Sequence, residues 1–363
     1  MLKTMTVVGR KPAYLLSDKK KNLKMKPTSL LLLACCFLLT GSVLLAQKAY
    51  PTMGKIIYED AAFEKLLPKS SKIEVLASGF EWSEGPVWNK EGGYLLFSDV
   101  PKNTVYKWEE KSGLSVFLKP SGYTGLGEYS DEPGSNGLFI DSKGRLISSE
   151  HGDRRISAMS LTLGGKITLS DNYEGKRLNS PNDVVQHKTN GSYYFTDPPY
   201  GLAKKQDDPS REVKQFGVYR ISPEGKTTLQ IGDLSRPNGL AFSTDGKLLY
   251  VAQSDPEKAI WMSYPVDNDG NIGKGKLLYD ATAMVKAGSA GLPDGFKVDQ
   301  NGNIWSSGPG GLLVITPAGK LLGRIEMGEL TSNCAWGNDG TVLYLTVDGY
   351  LCRIKTNTKG AGW

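Results

Sequence analysis

Six segments of the chain follow one pattern, and few folds are compatible with it. Each segment opens with Glu, Asn or Asp and continues with a short apolar run, a turn containing glycine and a second apolar run. The opening residues are Glu84, Asn136, Asn182, Asn238, Asp294 and Asn333. They lie 52, 46, 56, 56 and 39 residues apart. Such periods are typical of four-stranded β-propeller blades. The repeat therefore predicts an all-β chain folded as a six-bladed β-propeller.

The turns within the repeats favour the same architecture. Four of them contain Asn-Gly or Asp-Gly pairs, which supply the positive φ that tight hairpins require. A third apolar segment follows in each repeat, and a fourth follows in five of them. A β-sandwich or a pair of domains would not require six copies in phase. We therefore interpret each repeat as one blade.

The sixth repeat reaches the end of the chain without a fourth strand. The segment 72–78, KIEVLAS, precedes the first repeat and is suited to that place. Pairing it with the last blade would close the ring and cover an exposed sheet edge. We thus predict a propeller over residues 72–356, an N-terminal linker over 47–71 and a tail over 357–363. Helical periodicity is confined to a short stretch, 60–67.

Residues 1–46 read as an export leader. They carry a net charge of +7, so the rest of the +6 chain has a net charge of about −1. A lysine-rich segment precedes the apolar run 29–45, as in a signal peptide, and Met25 is an alternative start. We expect an exported protein, periplasmic or secreted, with a lipoprotein anchor at Cys35 as an alternative. The nearly neutral body gives no reason to expect nucleic-acid binding.

In a propeller the innermost strand of each blade lines the central channel, so residues at the same phase form a ring. The six opening residues would bring oxygen-bearing side chains to one level of the channel. Asn or Asp before Gly also caps turns, which is the alternative reading of one or two positions. Turn capping does not account for the glutamate, Glu84, or for oxygen-bearing side chains at all six positions. Unpaired buried carboxylates are costly, and a hard divalent cation would neutralise them.

The predicted ligands are the carboxylates of Glu84 and Asp294 and the amide oxygens of Asn182 and Asn238. An all-oxygen set of this kind suits Ca²⁺, with Mg²⁺, Mn²⁺ and Zn²⁺ left open as alternatives. The sequence has no nucleophile-elbow motif, GxSxG. It has no phosphate-binding loop of the GxxxxGK[ST] type. Metal-assisted hydrolysis is therefore the chemistry that this ring favours.

Several motifs resemble one known family. The combination of EGPVW, SNGLFID, NSPNDVV, RPNGLAFS and LPDGFKVD is similar to the gluconolactonase branch of the gluconolactonase/regucalcin/luciferin-regenerating family. The resemblance covers about residues 72–356. It implies a six-bladed propeller that binds one catalytic divalent cation. It also implies that the protein hydrolyses sugar lactones. It also implies that Glu84, Asn238 and Asp294 bind the metal, and that Asn182 binds either the metal or the substrate.

The resemblance and the ring together suggest further roles. Asp294 is the first candidate for the catalytic base, although a metal-bound carboxylate has a depressed pKa. The candidate substrate-binding residues are Asn136, His151, Asn182, Arg155 and Tyr200. His151 is open to three readings, as a base, a substrate contact or a structural residue. Another ester or phosphotriester hydrolase and a non-enzymatic calcium-binding propeller are the alternative functions.

Overall fold

A computed structural model describes residues 49–363 of the protein. The predicted leader, with Met25 and Cys35, lies outside the described residues. Within residues 49–363, no helix is long and apolar enough to cross a membrane. The predicted linker contains regular structure. It forms the strand β1 (Lys55–Tyr58) and the helix α1 (Ala61–Leu66), and it is followed by the strand β2 (Ile73–Ser78).

Six antiparallel sheets follow around an axis, and in each blade the strands from Ser83 onwards run in sequence order from the axis outwards. Blade 1 contains β3 (Ser83–Asn89), β4 (Tyr94–Asp99), β5 (Thr104–Glu109) and β6 (Gly113–Leu118). Blade 2 contains β7 (Ser135–Ile140), β8 (Arg145–Glu150), β9 (Arg155–Ser160) and β10 (Gly164–Ser170). A small hairpin, β11 (Asn172–Tyr173) and β12 (Lys176–Arg177), connects blade 2 to the next blade.

Blades 3 and 4 repeat this arrangement. Blade 3 contains β13 (Val184–Gln186), β14 (Tyr193–Thr196), β15 (Val218–Ile221) and β16 (Thr227–Ile231), with a short 3₁₀ turn, Lys205–Asp207, between β14 and β15. Blade 4 contains β17 (Pro237–Phe242), β18 (Leu248–Asp255), β19 (Lys258–Pro265) and β20 (Lys276–Asp280). The helix α2 (Thr282–Lys286) leads into blade 5.

The last two blades each recruit an N-terminal strand. Blade 5 contains β21 (Phe296–Val298), β22 (Ile304–Gly308), β23 (Gly311–Ile315) and β24 (Leu321–Glu326), and blade 6 contains β25 (Thr331–Gly337), β26 (Val342–Val347) and β27 (Tyr350–Lys355). Strand β2 pairs with β27 and completes blade 6, so the predicted closure of the ring is confirmed. Strand β1 pairs with β24, which gives blade 5 a fifth strand that the repeat did not predict.

The apolar core lies between neighbouring blades rather than on the axis. Between blades 1 and 2, for example, Leu96 and Val105 pack with Leu138 and Met159. Helix α1 adds Phe63 to the cluster between blades 5 and 6. Because the side chains that stabilise the fold meet between the blades, the start of each innermost strand is free to carry polar side chains. This separation is what leaves room for a site on the axis.

Two buried cysteines, Cys334 and Cys352, belong to the same cluster and are not joined by a disulfide. They lie on β25 and β27, and both face Leu345 of the intervening strand β26. A strand therefore separates them. They behave as small apolar side chains, as expected for two cysteines on strands that are not paired with each other.

Candidate active site

We call the end of the channel at which the innermost strands begin the upper end, and the end at which they finish the lower end. A cavity of about 510 Å³ opens at the upper end. Five of the six repeat-opening residues line it: Glu84, Asn136, Asn182, Asn238 and Asp294. The sixth, Asn333, is 1% exposed and lies behind Glu84. The volume is in the range of small-molecule sites, which is roughly 300–1,000 Å³.

The backbone explains why these side chains converge. The pairing of the innermost strand with its neighbour shifts register at the start of blades 1, 2, 4 and 6. Bulges of this kind redirect side chains. Glycine follows the opening residue in four blades. A β-carbon on Gly85 would lie 2.0 Å from the Asn136 carbonyl oxygen, and one on Gly239 would lie 2.3 Å from that of Asp294. The repeated glycine therefore lets adjacent blades bring their opening residues together.

Two amides and a serine form one side of the ring. Asn182 Nδ2 donates to Asn238 Oδ1 over 2.7 Å. Asn238 Nδ2 in turn donates to Ser254 Oγ over 2.9 Å, and the Ser254 hydroxyl donates to the Pro293 carbonyl. These bonds fix the amides at the cavity floor, next to Asp294. The arrangement holds two carbonyl-type oxygens and one carboxylate from three different blades at one level.

The two carboxylates of the ring are poorly compensated. Burial and the charge of Asp183 raise the pKa of Glu84 to about 8. Burial and the neighbouring charge of Glu84 raise the pKa of Asp294 well above its ordinary value. Glu84 Oε2 accepts hydrogen bonds from Gly85 N and from Asn333 Nδ2, at 2.6 and 3.2 Å. No side chain within residues 49–363 donates a hydrogen bond to the Asp294 carboxylate. The two groups therefore repel each other in a buried place.

A second polar layer lies beneath the ring. Lys297 Nζ donates to Asn333 Oδ1 over 3.2 Å, and Asn333 links this ammonium to Glu84. The carboxyl group of Asp183, which follows the ring residue of blade 3, is buried beside them. Burial raises its pKa to about 6, and the Lys297 ammonium opposes that shift. Asn333 is thus engaged on both sides of its amide and positions Glu84.

His151 is fully buried behind Asn182. Its Nε2 lies 3.3 Å from Asn182 Oδ1, and its Nδ1 lies 3.2 Å from the Glu132 carbonyl oxygen. Burial lowers the pKa of the imidazole to about 4, so it is neutral near pH 7. His151 is not among the residues that line the cavity. Its imidazole contacts Asn182, a ring residue, and does not face the cavity.

Three polar atoms at the cavity wall lack a hydrogen-bond partner within the described residues: Asn136 Oδ1, the Tyr200 hydroxyl and Thr331 Oγ1. Ser254 and Asn238 lie beside the Tyr200 hydroxyl, but neither makes a hydrogen bond of good geometry with it. Buried polar groups in native proteins nearly always have a partner. These three atoms can therefore form hydrogen bonds with the hydroxyl groups of a bound molecule.

Arg155 lies outside the cavity. Its guanidinium is held by the buried carboxylate of Glu150, at 2.6 Å, and by Asp153, at 3.2 Å. Lys166 reaches the same glutamate from β10. Arg155, a predicted substrate-binding residue, therefore belongs to an ion-pair network within blade 2 and not to the wall of the cavity.

The cavity also contains residues that the repeat did not single out. Glu132, Arg236 and Ser254 contribute to its polar side, and Trp82, Pro256, Val285, Leu292 and Leu330 contribute to its apolar side. Most of them belong to the connections between strands and blades, where the repeat has no fixed phase. One signal was available: Arg236 precedes Pro237-Asn238, so it lies two residues before a ring position. Within residues 49–363, no three His, Cys, Asp or Glu side chains converge as metal ligands, because asparagines complete this ring.

The sequence profile of the SMP-30/gluconolactonase/LRE-like region matches residues 82–348. The chain belongs to this family. The matched region begins two residues before Glu84 and contains every member of the ring. It excludes β1, α1 and β2, so the strands that complete blades 5 and 6 lie outside it.

Three known proteins of similar sequence or structure each cover about three quarters of the chain or more. The gluconolactonase of Zymomonas mobilis is 41% identical over 316 residues, which cover 85% of this chain and 88% of the relative. Bovine regucalcin is 25% identical over 285 residues, which cover 76% of this chain and 87% of regucalcin. The solved structure of a gluconolactonase from Xanthomonas campestris superposes with a TM-score of 0.72 at 30% identity, covering 86% of this chain and 99% of that structure.

Proposed function

We propose that this protein is a lactonase that opens sugar lactones, with a divalent cation held by Glu84, Asn182, Asn238 and Asp294. The observation that carries the proposal is the pair of buried carboxylates that meet two amides at the floor of the cavity. The relatives named as gluconolactonases support the substrate class. Each of them covers at least 85% of this chain.

The donor set fits a hard cation. Two carboxylates would balance a charge of +2, and Asn182 and Asn238 would add neutral oxygen ligands. Calcium takes 6–8 oxygen ligands, so water or substrate would complete the set. The raised pKa values of Glu84 and Asp294 reflect burial and like charge. A cation between the two groups would screen their repulsion and offset the cost of burying their charges, and Ca²⁺ is the ion we favour.

When bound, the cation would polarise the lactone carbonyl and acidify a water molecule. The residues of the chain supply the other requirements. Asp294 is the carboxylate of the ring without a side-chain donor, and it accepts the proton of the attacking water. Water adds to the carbonyl carbon, the ring C–O bond breaks, and the proton moves to the leaving alkoxide oxygen. The product is the open hydroxy acid.

The walls of the cavity suit a sugar lactone. Asn136, Tyr200 and Thr331 offer unpaired polar atoms that can bind ring hydroxyl groups. Trp82, Leu292 and Leu330 add apolar surface to the wall, suited to the C–H face of the sugar ring. Sites that combine apolar walls with a few oriented polar groups select substrates by hydroxyl pattern.

The decisive experiment is hydrolysis of glucono-1,5-lactone, followed by proton release. Chelation should abolish activity, and Ca²⁺ should restore it more fully than Mg²⁺ or Mn²⁺. Asp294→Asn keeps the shape of the side chain but removes its charge and basicity. We expect kcat/KM to fall at least ~10³-fold, because a charged ligand and the base are lost together. Calorimetric titration with Ca²⁺ should show weaker binding in the same variant.

Asp245→Asn is the matched control. Asp245 is an exposed aspartate in the turn between β17 and β18, far from the ring, and its replacement makes the same change in charge. It should leave kcat/KM and cation affinity unchanged. Full activity of the chelated protein, or of Asp294→Asn, would overturn the metal-assisted mechanism. A protein that binds Ca²⁺ at the ring but turns over no lactone would overturn the substrate class.

A further inference from the structure

One arginine differs from all the others in the described part of the chain. Residues 49–363 contain nine arginines. Eight of their guanidinium groups make a hydrogen bond or ion pair with protein: Arg145, Arg154, Arg155, Arg177, Arg211, Arg220, Arg324 and Arg353. The guanidinium of Arg236 makes none within residues 49–363. It nevertheless lies in the wall of the upper cavity and is only partly exposed.

The position of Arg236 places its charge above the ring. It is two residues before Asn238, and two residues of extended chain span about 6–7 Å. Arg236, Tyr200 and Asp294 line the same cavity, and the charges of Arg236 and Asp294 shift the pKa of the Tyr200 hydroxyl in opposite directions. A molecule whose ester group reached Asp294 could therefore present its far end to Arg236 within this cavity.

The other charges of the cavity do not require Arg236 as a partner. Glu84 and Asp294 face the proposed cation, and Glu132 is influenced by the charge of Lys205. Asp255 lies nearby, but Ser235 Oγ donates to it and it makes no ion pair with Arg236. An unpaired guanidinium in a partly buried wall keeps five donors in a planar fork, which matches carboxylates and other oxyanions.

We propose that Arg236 is a specificity-determining residue that binds an acidic group at the end of the substrate remote from the lactone ester. The preferred substrates would then be acidic sugar lactones, with a carboxylate, sulfonate or phosphate in place of the terminal hydroxymethyl group. This inference rests on the proposed function, which it deepens. It assigns a role to a residue outside the ring and outside the repeat.

The test compares two lactones that differ only at carbon 6. Glucono-1,5-lactone has a hydroxymethyl group there, and glucaro-1,5-lactone has a carboxylate. With the cation-loaded protein we expect kcat/KM to be at least ~10-fold higher for glucaro-1,5-lactone. Arg236→Met should lower kcat/KM for this lactone by roughly 10- to 100-fold, the usual range for a lost hydrogen bond to a charged group. The same variant should change kcat/KM for glucono-1,5-lactone less than ~3-fold. Arg236→Lys should retain part of the preference.

Arg177→Met is the matched control, because Arg177 lies in the β11–β12 hairpin outside the cavity and bonds to the Asp153 carbonyl. It should alter neither rate. The thermal midpoint of Arg236→Met should equal that of the parent protein, since the guanidinium makes no hydrogen bond or ion pair within residues 49–363. Equal kcat/KM for the two lactones in the parent protein, or an equal loss for both in Arg236→Met, would overturn the role of Arg236 and leave the lactonase activity intact.

A binding measurement separates this inference from the proposed function. Calorimetric titration with the open acids, glucarate and gluconate, does not require turnover. We expect glucarate to bind at least ~10-fold more tightly than gluconate in the parent protein, and equally in Arg236→Met. If neither lactone were hydrolysed but this difference appeared, the lactonase proposal would fail and the anion site at Arg236 would stand. Equal affinities in the parent protein would overturn the anion site.

Discussion

At the upper end of the channel the innermost strands carry carboxylates and amides, whereas a few residues further along the same strands carry apolar side chains. A cavity of about 600 Å³ at the lower end is lined by Val87, Leu138, Phe242 and Val298, among others. It is larger than the upper cavity, at about 510 Å³. Cavity size alone therefore does not identify the site.

Aromatic side chains pack against one another near the lower end of the channel. The Trp88 ring stacks on Tyr344 with centroids 5.5 Å apart, and Trp336 meets Trp305 edge to face at 5.4 Å. Trp363, near the end of the tail, lies under Lys90, whose ammonium is 3.9 Å from the ring centroid. The upper end instead holds like charges together. One end of the channel stabilises the fold, and the other carries chemistry that destabilises it.

The pH dependence of stability should expose this difference most strongly. The pKa of Glu84 is raised by burial from 4.5 to about 8, so the folded, chelated protein binds more protons than the unfolded chain over that interval. Stability then falls as the pH rises. We expect the free energy of unfolding of the chelated protein to drop on the order of 3 kcal/mol between pH 5 and 8. Urea denaturation at several pH values measures it.

Saturating Ca²⁺ should flatten this dependence, because a bound cation stabilises the ionised carboxylates. Glu84→Gln should reduce the slope without any cation, because one buried carboxylate is gone, while burial still raises the pKa values of Asp294 and Asp183. The Asp245→Asn protein, altered near the lower end, should keep the slope of the parent. A chelated protein whose stability stayed constant or rose from pH 5 to 8 would show that the two carboxylates do not destabilise the upper end.

The role of His151 gives the next largest effect. A neutral imidazole has one N–H and cannot donate to both the Glu132 carbonyl and the Asn182 amide oxygen. If Nδ1–H donates to the carbonyl, Nε2 accepts from the amide NH₂ of Asn182. This amide then gives up its hydrogen bond to Asn238 Oδ1, and both amide oxygens face the cation. We therefore expect His151→Phe to weaken Ca²⁺ affinity about 10- to 100-fold, as is usual when the partner of a metal ligand is removed. Calorimetric titration measures this affinity.

The pH profile distinguishes this positioning role from that of a base. With the pKa of His151 at about 4, the acid limb of kcat/KM at saturating Ca²⁺ should not move in His151→Phe. Loss of that limb would make His151 the base instead. His151→Gln, which can still bond to Asn182, should recover part of the affinity. His187→Gln is the matched control, because His187 bonds to the Gly246 carbonyl and lines neither cavity.

The sequence predicted the structural features that recur at the same position of every repeat. It predicted few of the features that lie outside the repeat. Six equivalent positions implied six innermost strands and a ring, and the structure brings Glu84 and Asp294 together from blades 1 and 5. In four blades the sequence also shows a glycine after the ring residue. Its physical reason, the close approach of the next blade, requires coordinates. The sequence did not predict strand β1, because its four residues show no alternation of polar and apolar side chains.

Charges in the site were the least predictable feature. Lys297 and Asp183 lie one layer below the ring, and no spacing in the sequence shows that Asn333 connects Lys297 to Glu84. Arg155 and Arg236 illustrate the same limit. Each follows or precedes a recognisable motif, yet Arg155 is taken up by Glu150 while Arg236 faces the cavity. Which partner a long side chain reaches depends on neighbouring blades, and these are distant in the sequence.

Two tryptophans, one at each end of the channel, offer the smallest and most direct comparison. Trp82 and Trp363 are both partly exposed, and each lines one cavity. Trp363→Ala should lower the free energy of unfolding by about 1–2 kcal/mol, less than the ~3–5 kcal/mol of a fully buried aromatic side chain. It should leave kcat/KM within ~2-fold. Urea denaturation and lactone hydrolysis report the two quantities separately.

Trp82→Ala should give the opposite result. It removes an apolar wall from the substrate, so kcat/KM should fall about 5- to 10-fold, mainly through KM, while the free energy of unfolding changes by less than ~1 kcal/mol. Equal losses of stability and activity in both variants would mean that the two ends are not specialised. A crossed pattern would show that the two ends of the channel are specialised, the lower end for packing and the upper end for substrate binding.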